Sequence, residues 1–161
     1  PPIKGLDSDK VVMAIEAELC PEKLGKKVAI MGGGLVGAEA AIGFHHEGKE
    51  CTIIEMKAAI AEEVNSFYRG GLMPEVEKAA ICYVDTKVKE VVPSGVLCER
   101  NGEEMLVEAD TVVCALGFTS PYDKVDELAD LVDEYYIIGD CKKIGKIYDA
   151  INTAYYSALL V

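Results

Sequence analysis

A short apolar run that passes directly into a cluster of glycines is the feature that most constrains the fold of this chain. The run extends from Lys27 to Met31, and Gly32, Gly34 and Gly37 follow it in the pattern G-x-G-x-x-G. Such a run is typical of a buried parallel strand. The next stretch is rich in alanine and ends at a glycine in the helix-terminating position. The sequence therefore predicts a strand, a tight turn and a helix over Leu35 to Glu47.

Each glycine of the loop has its own physical role in such a unit. Gly32 permits the tight turn, Gly34 lets the backbone approach a pyrophosphate, and Gly37 lets the helix pack against the strand. The unpaired N–H groups and the positive end of the helix favour a bound diphosphate. The predicted contacts of a dinucleotide are the residues of this motif, Gly32, Gly33, Gly34, Leu35, Val36 and Gly37.

An acidic residue at the end of the second strand supports this interpretation. Glu55 ends the apolar run that begins at Cys51 and lies 18 residues after Gly37, near the spacing of about 20 expected for a carboxylate that accepts hydrogen bonds from a ribose diol. A carboxylate repels a 2′-phosphate, so Glu55 favours NAD(H) over NADP(H). The nearby cations, Lys57 and Arg69, form no arginine cluster. The alternative is a glycine-rich turn and a surface glutamate with no ligand.

The rest of the chain predicts an α/β fold, Rossmann-like and three-layered, with a central parallel sheet. Three short segments around Pro93-Ser94-Gly95 and Asn101-Gly102 predict an antiparallel meander inserted into that pattern, because Asn-Gly between strand-like runs signals a hairpin. The remaining predicted elements are helices over Lys10 to Leu19, Lys57 to Val64 (ended by Gly70-Gly71), Pro74 to Ala80, Tyr122 to Leu131 and Lys146 to Leu160, and strands over Ile81 to Val84 and Thr111 to Gly117.

Composition excludes several classes of protein. The 161 residues carry 16 Lys and Arg against 28 Asp and Glu, a net charge of −12, so nucleic acid and anionic membrane surfaces are not expected partners. No apolar run approaches the roughly 20 residues that span a bilayer. The six cysteines form no C-x-x-C pair and predict reduced, buried thiols in a cytoplasmic protein. No metal site is predicted. The start at Pro1, without a leader, indicates a piece of a longer protein.

Taken together, the motifs resemble the nicotinamide-nucleotide domain of flavoproteins with two dinucleotide-binding folds, of the pyridine nucleotide-disulfide oxidoreductase type. The resemblance rests on the segments 27–39, 53–55, 109–117 and 137–140. Within that superfamily the chain is most similar to the C-terminal part of NADH:flavin oxidoreductases of the 2,4-dienoyl-CoA reductase, enoate reductase and trimethylamine dehydrogenase type. The resemblance implies a domain of a NAD(P)H-dependent flavin oxidoreductase.

The resemblance also implies roles for particular residues. Ala115, Leu116 and Gly117 would close the domain beside the nicotinamide, and a side chain at Gly117 would block stacking of the ring. Asp140 would contact the ribityl chain of FAD. Further candidate contacts of the cofactor are Glu39, Met56 and Lys57. A glutamate in the first turn of a helix such as Glu39 also has a simpler explanation, which is a favourable interaction with the helix dipole.

The implied organisation has three parts: residues 1–25 connect from a missing FAD domain, residues 26–120 bind NAD(H), and residues 121–161 return to the FAD domain. An FMN barrel and an iron–sulfur cluster would lie upstream. The chain would hold NADH so that its hydride reaches FAD, and the isolated chain would be inactive. Two alternatives stay open: the same glycine loop binds FAD, or the domain is non-catalytic and holds ADP or another nucleotide.

Overall fold

The computed structural model describes residues 2–128 and 131–161, apart from the side chains of Asp123 and Asp126. The chain divides into two compact units, which are Pro1–Leu116 and Gly117–Val161. The strands are β1 (Val11–Met13), β2 (Lys27–Met31), β3 (Glu50–Ile54), β4 (Ala80–Tyr83), β5 (Thr86–Val92), β6 (Gly95–Arg100), β7 (Glu103–Glu108) and β8 (Thr111–Cys114). The α-helices are α1 (Ala14–Leu19), α2 (Leu35–His46), α3 (Ser66–Ala79), α4 (Tyr122–Asp126) and α5 (Ile147–Ala158).

The first unit is built on a parallel sheet of five described strands, in the order β1-β8-β2-β3-β4. At the centre, Ala29 of β2 lies beside Thr52 of β3 on one side and Val112 of β8 on the other. Both faces of β2 are covered, which explains why its sequence is almost continuously apolar rather than alternating. The Rossmann-like α/β class predicted from the sequence is confirmed.

Two hydrophobic clusters lie on opposite faces of this sheet, because successive side chains of a strand point in opposite directions. Val28 and Ile30 belong to the cluster formed with the helices. Ala29 and Met31 belong to the cluster formed with β5, β6 and β7. These last three strands form the predicted antiparallel meander. The three layers are therefore helices, parallel sheet and meander.

Several local predictions were wrong, each because a tertiary contact outweighs local propensity. The first part of the predicted helix from Lys10 to Leu19 is instead strand β1, whose residues pair with β8. The segment predicted as a helix from Lys57 to Val64 consists of turns. There Ile60 and Ala61 are buried, and the Ala61 N–H donates to the carbonyl of Gly33 at 2.7 Å. The loop is therefore held by the glycine turn and not by its own helical bonds.

Helix α3 runs without a break through the two glycines that were expected to end a helix. It begins after Asn65, whose side-chain oxygen accepts a hydrogen bond from the Tyr68 N–H at 3.0 Å, and it includes Pro74. In the part of the chain that the structure describes, a Cβ at Gly70 or Gly71 would meet no atom within 4 Å. The apolar residues Leu72 and Val76 dock the helix on the sheet, and this burial outweighs the glycines' weak helix propensity.

The second unit contains α4 and α5. Positions 129 and 130 of the predicted helix from Tyr122 to Leu131 lie outside the described residues, and α4 ends at Asp126. The Gly139 N–H donates to the hydroxyl of Thr153 at 2.9 Å, which ties the Gly-Asp turn to α5. In the described part of the chain, no helix has the length and apolarity needed to cross a bilayer.

The structure makes β1 a strand of the first unit's sheet, although its residues fall within the predicted connecting segment 1–25. Pro1, the start of that segment, lies outside the described residues. The boundary between the two units falls between Leu116 and Gly117. The division of a longer protein into domains at residues 25 and 120 stays a prediction.

Candidate dinucleotide-binding site

The glycine loop connects the carboxyl end of β2 to the amino end of α2. Gly32 has a φ of +103°, a left-handed value that favours glycine. Its N–H donates to the carbonyl of Ile54 at 2.9 Å. A Cβ at this position would overlap the carbonyl of Ala115. The turn therefore fits between β3 and the residue after β8 only because Gly32 has no side chain.

The other glycines keep the loop close to its neighbours. A Cβ at Gly37 would overlap the carbonyl oxygen of Gly32, so the helix can begin this close to the strand only with glycine there. A Cβ at Gly33 would lie 2.5 Å from Cδ1 of Ile60. At Gly34 the nearest atom would be Oε1 of Glu63, 3.1 Å away. The turn and packing roles predicted for Gly32 and Gly37 match this geometry.

Glu55 joins the glycine loop to the end of β3. Its side chain is buried, with only 8% of the residue exposed. One carboxylate oxygen, Oε2, accepts a hydrogen bond from the Gly33 N–H at 2.7 Å, and Oε1 accepts one from the Lys57 N–H at 2.8 Å. Because each carboxylate oxygen has two acceptor positions, capacity remains for a further donor. Glu55 is therefore part of the loop's structure and not an unengaged surface residue.

A second carboxylate, which the sequence reasoning missed, lies at the first turn of α2. Oε1 of Glu63 accepts a hydrogen bond from the Leu35 N–H at 2.8 Å. The N–H groups of a helix's first turn have no intrahelical acceptors, so an anion is favoured there. The sequence offered no signal for this contact, because Glu63 lies 28 residues away in a loop that was predicted to be helical.

Glu39 contacts a tyrosine that the sequence reasoning also missed. The Tyr68 hydroxyl of α3 donates to Oε1 of Glu39 at 2.7 Å. This hydrogen bond, together with the negative charge of Glu39, raises the pKa of the Tyr68 hydroxyl above its ordinary value. The contact holds the Glu39 side chain of α2 against α3. The predicted position of Glu39 in the first turn of the helix was wrong, because the first turn of α2 contains no acidic residue.

The remaining candidate residues divide between the two units. The Ala115 N–H donates to the carbonyl of Met31 at 2.9 Å, so this residue lies beside the glycine loop. The ammonium of Lys57 lies 3.8 Å from a carboxylate oxygen of Glu62. Three further candidates of the first unit have exposed side chains, Val36, Met56 and Leu116.

Gly117 and Asp140 belong to the second unit. Gly117 has a φ of +99°, which favours glycine there, and a Cβ would meet no atom of the described residues within 4 Å. Oδ1 of Asp140 accepts a hydrogen bond from the Gly145 N–H at 3.2 Å. Within the first unit, the structure brings together the glycine loop, Glu55 and Ala115. They lie at the carboxyl edge of the parallel sheet, where α/β folds bind ligands.

The predicted burial of the cysteines holds for three of the six, since Cys20 and Cys82 are half-buried and Cys141 is exposed. Cys51, Cys98 and Cys114 are buried, and no described cysteine forms a disulfide. Burial raises the pKa of the Cys51 and Cys98 thiols from the ordinary value of 9.0 to about 11. Thiols with so high a pKa are weak nucleophiles near neutral pH. Among the described residues, no group of His, Cys, Asp and Glu is arranged to hold a metal ion.

Comparison with known families agrees with this geometry. Residues 1–157 match the family described as pyridine nucleotide-disulphide oxidoreductase. The chain belongs to this family. Membership confirms the resemblance predicted from the glycine motif and the later strands, and the family is one of oxidoreductases that bind FAD and NAD(H), in line with the predicted type of enzyme.

Individual relatives are similar over nearly the whole chain. A cinnamate reductase from Clostridium sporogenes is 32% identical over 152 residues, which cover 92% of this chain and 23% of that protein. An NADH oxidase from Thermoanaerobacter brockii is 29% identical and covers 98% of this chain and 25% of its own length. A solved 2-naphthoyl-CoA reductase, in complex with 2-naphthoyl-CoA, is 28% identical with a TM-score of 0.91, covering all of this chain and 25% of that one. The chain thus spans about a quarter of the length of these relatives.

Proposed function

We propose that this chain is the NAD(H)-binding part of a larger flavin-dependent oxidoreductase, and that it holds NADH for hydride transfer to FAD. One observation carries the proposal: the glycine loop at the amino end of α2 is hydrogen-bonded to Glu55 at the end of the neighbouring strand. Bound NADH would supply the hydride, and FAD, held by the rest of the protein, would accept it. The residues of this chain supply binding and orientation.

The glycine loop provides the pyrophosphate subsite. The first N–H groups of α2 point away from the helix without intrahelical acceptors, and the helix dipole adds partial positive charge there. Gly34 leaves the backbone open to close approach, since among the described residues Glu63 alone has atoms within 4 Å of its missing side chain. These features fit the diphosphate of a dinucleotide.

Glu55 provides the ribose subsite and sets the preference for NADH. Its carboxylate is oriented by the N–H groups of Gly33 and Lys57, so little ordering is needed when a ribose hydroxyl donates to it. A 2′-phosphate at the same place would meet a buried negative charge.

Two other functions remain compatible with the same loop. FAD also has an ADP half and a ribose diol, so the loop could hold FAD, and the purified protein would then be yellow. A non-catalytic domain would hold ADP alone, and ADP and NADH would then bind equally tightly. The chain's matches to reductases and an NADH oxidase favour the NAD(H) function over both.

Several finer predictions are carried forward as parts of this proposal. We propose that the isolated chain does not turn over NADH, because it spans only about a quarter of its relatives. FMN and an iron–sulfur cluster would be bound by other parts of the longer protein. That protein would be cytoplasmic. Asp140 would contact FAD, and Gly117 the nicotinamide. Nucleic acid and membranes are not expected partners, given the net charge of −12.

The test is a fluorescence titration of the purified chain with NADH, NADPH and ADP. We expect NADH to bind more tightly than NADPH and ADP, and Glu55→Gln to weaken NADH binding by about tenfold. Glu50→Gln is the matched control, because Glu50 lies at the opposite end of the same strand and is exposed. Absence of NADH binding, or an equal loss of NADH affinity in Glu55→Gln and Glu50→Gln, would contradict the proposal.

A further inference from the structure

The carboxylate of Glu63 stands at the place where the proposed function puts a phosphate group. It accepts the N–H of Leu35, the first residue of α2, at 2.8 Å. The same oxygen would lie 3.1 Å from a Cβ placed on Gly34. The carboxylate therefore covers the open side of the glycine and occupies a donor of the helix's first turn. These two contacts are the ones that a bound diphosphate needs at this loop.

Glu63 is held on a surface loop and not in the core. Its side chain is exposed. In the sequence, Glu63 lies between Ala61, which is buried, and Asn65, which caps the start of α3. Ala61 is fixed by its hydrogen bond to Gly33, so the loop itself stays beside the glycine turn. The backbone of the loop is thus held through Ala61, whereas the Glu63 carboxylate reaches α2 from an exposed side chain.

We propose that Glu63 is an internal anion that occupies the pyrophosphate subsite and leaves it when a dinucleotide binds. The inference rests on the proposed function, and it assigns to Glu63 a role in setting affinity. The diphosphate and the carboxylate compete for the same N–H group, and their negative charges repel each other at short range. Two other carboxylates, Glu39 and Glu55, lie close to the same loop and helix. Removing the charge of Glu63 therefore strengthens binding, whereas removing that of Glu55 weakens it.

Glu63→Gln tests the charge, because a glutamine oxygen can still accept from the Leu35 N–H. We expect NADH, ADP and inorganic pyrophosphate each to bind about tenfold more tightly to this variant than to the unmodified chain, a difference of about 1.4 kcal/mol. Adenosine, which has no phosphate, should bind both equally. The difference should narrow in about 1 M salt, where the Debye length is about 3 Å.

Glu62→Gln is the matched control. It removes one negative charge from the adjacent residue, whose carboxylate is near Lys57 and not at the helix terminus. We expect it to change NADH affinity less than twofold. Glu63→Ala serves as a second variant, and it should also bind more tightly, because the competing acceptor is gone.

The outcomes separate this inference from the proposed function. Tighter binding in both Glu63 variants, with little change in the control, supports it. Unchanged or weaker NADH binding in Glu63→Gln, beside measurable binding by the unmodified chain, overturns the inference and leaves the proposed function intact. Equal strengthening in Glu62→Gln overturns it too, since net charge would then be the cause. No binding of any dinucleotide to any variant overturns both.

Discussion

The Glu55 carboxylate accepts the backbone N–H of Gly33 at 2.7 Å, and this bond connects the ends of two adjacent parallel strands. The glycine turn after β2 is thereby fastened to the residue that follows β3. The same carboxylate accepts the N–H of Lys57, so it also fixes the start of the next loop. One side chain thus orders the backbone on both sides of the proposed ribose subsite.

Glu55→Ala should lower the free energy of unfolding by about 2 kcal/mol, because the buried N–H of Gly33 and the partly buried N–H of Lys57 lose their acceptor. Urea unfolding followed by circular dichroism measures this change. The control Glu50→Ala removes an exposed glutamate from the same strand and should change stability by less than about 0.5 kcal/mol. Equal effects of the two substitutions would contradict a structural role for Glu55.

Gly37→Ala should destabilise the protein by about 2 kcal/mol or more, because the added Cβ overlaps the carbonyl oxygen of Gly32. Gly43→Ala is the matched control in the same helix, where a Cβ would meet no described atom within 4 Å. We expect it to stabilise by up to about 1 kcal/mol through helix propensity. Thermal unfolding of both variants should give shifts of opposite sign, and a stable Gly37→Ala would contradict the close packing of α2.

Gly70→Ala should raise the stability of the protein by about 0.5–1 kcal/mol, because α3 continues through this position and offers free space for a methyl group. Gly71→Ala should act in the same direction. The measurement is the midpoint of thermal unfolding. A lower midpoint for both variants would indicate that the helix is interrupted at the two glycines, as the sequence pattern alone suggests.

The stability of the first unit should fall as pH rises from about 9 to about 11. Burial raises the pKa of the Cys51 and Cys98 thiols to about 11, above the ordinary value of 9.0. Between these pH values the unfolded chain loses thiol protons that the folded chain keeps, so ionisation of the thiols favours the unfolded state. The stability that depends on the two protonated thiols is therefore fully present only below about pH 9.

Urea unfolding at several pH values, compared between the unmodified chain and a Cys51→Ala/Cys98→Ala variant, isolates this effect from the titration of lysines and tyrosines. The variant should be less stable near neutral pH but should lose less stability between pH 9 and 11. Parallel curves for the two proteins would contradict the raised thiol pKa values.

Local pattern was enough to identify much of this molecule. The meander followed from its turn residues, since Asn101-Gly102 joins β6 to β7 as predicted. The glycine spacing and the acid at the end of the second strand predict the position of the candidate site. These features are local: a turn needs particular backbone angles, and a buried strand needs a continuous apolar run.

Local residue patterns suffice to predict the alternation of strands and helices, the glycine turn and the position of Glu55 at a strand end. Three other features follow from long-range contacts: Val11 to Met13 is a strand, α3 passes through Gly70 and Gly71, and Glu63 reaches the amino end of α2. Each of these depends on a partner far along the chain. Burial and hydrogen bonding to that partner outweigh a local propensity of at most about 1 kcal/mol per residue. The residue pattern within a segment does not indicate where its partner lies in the chain.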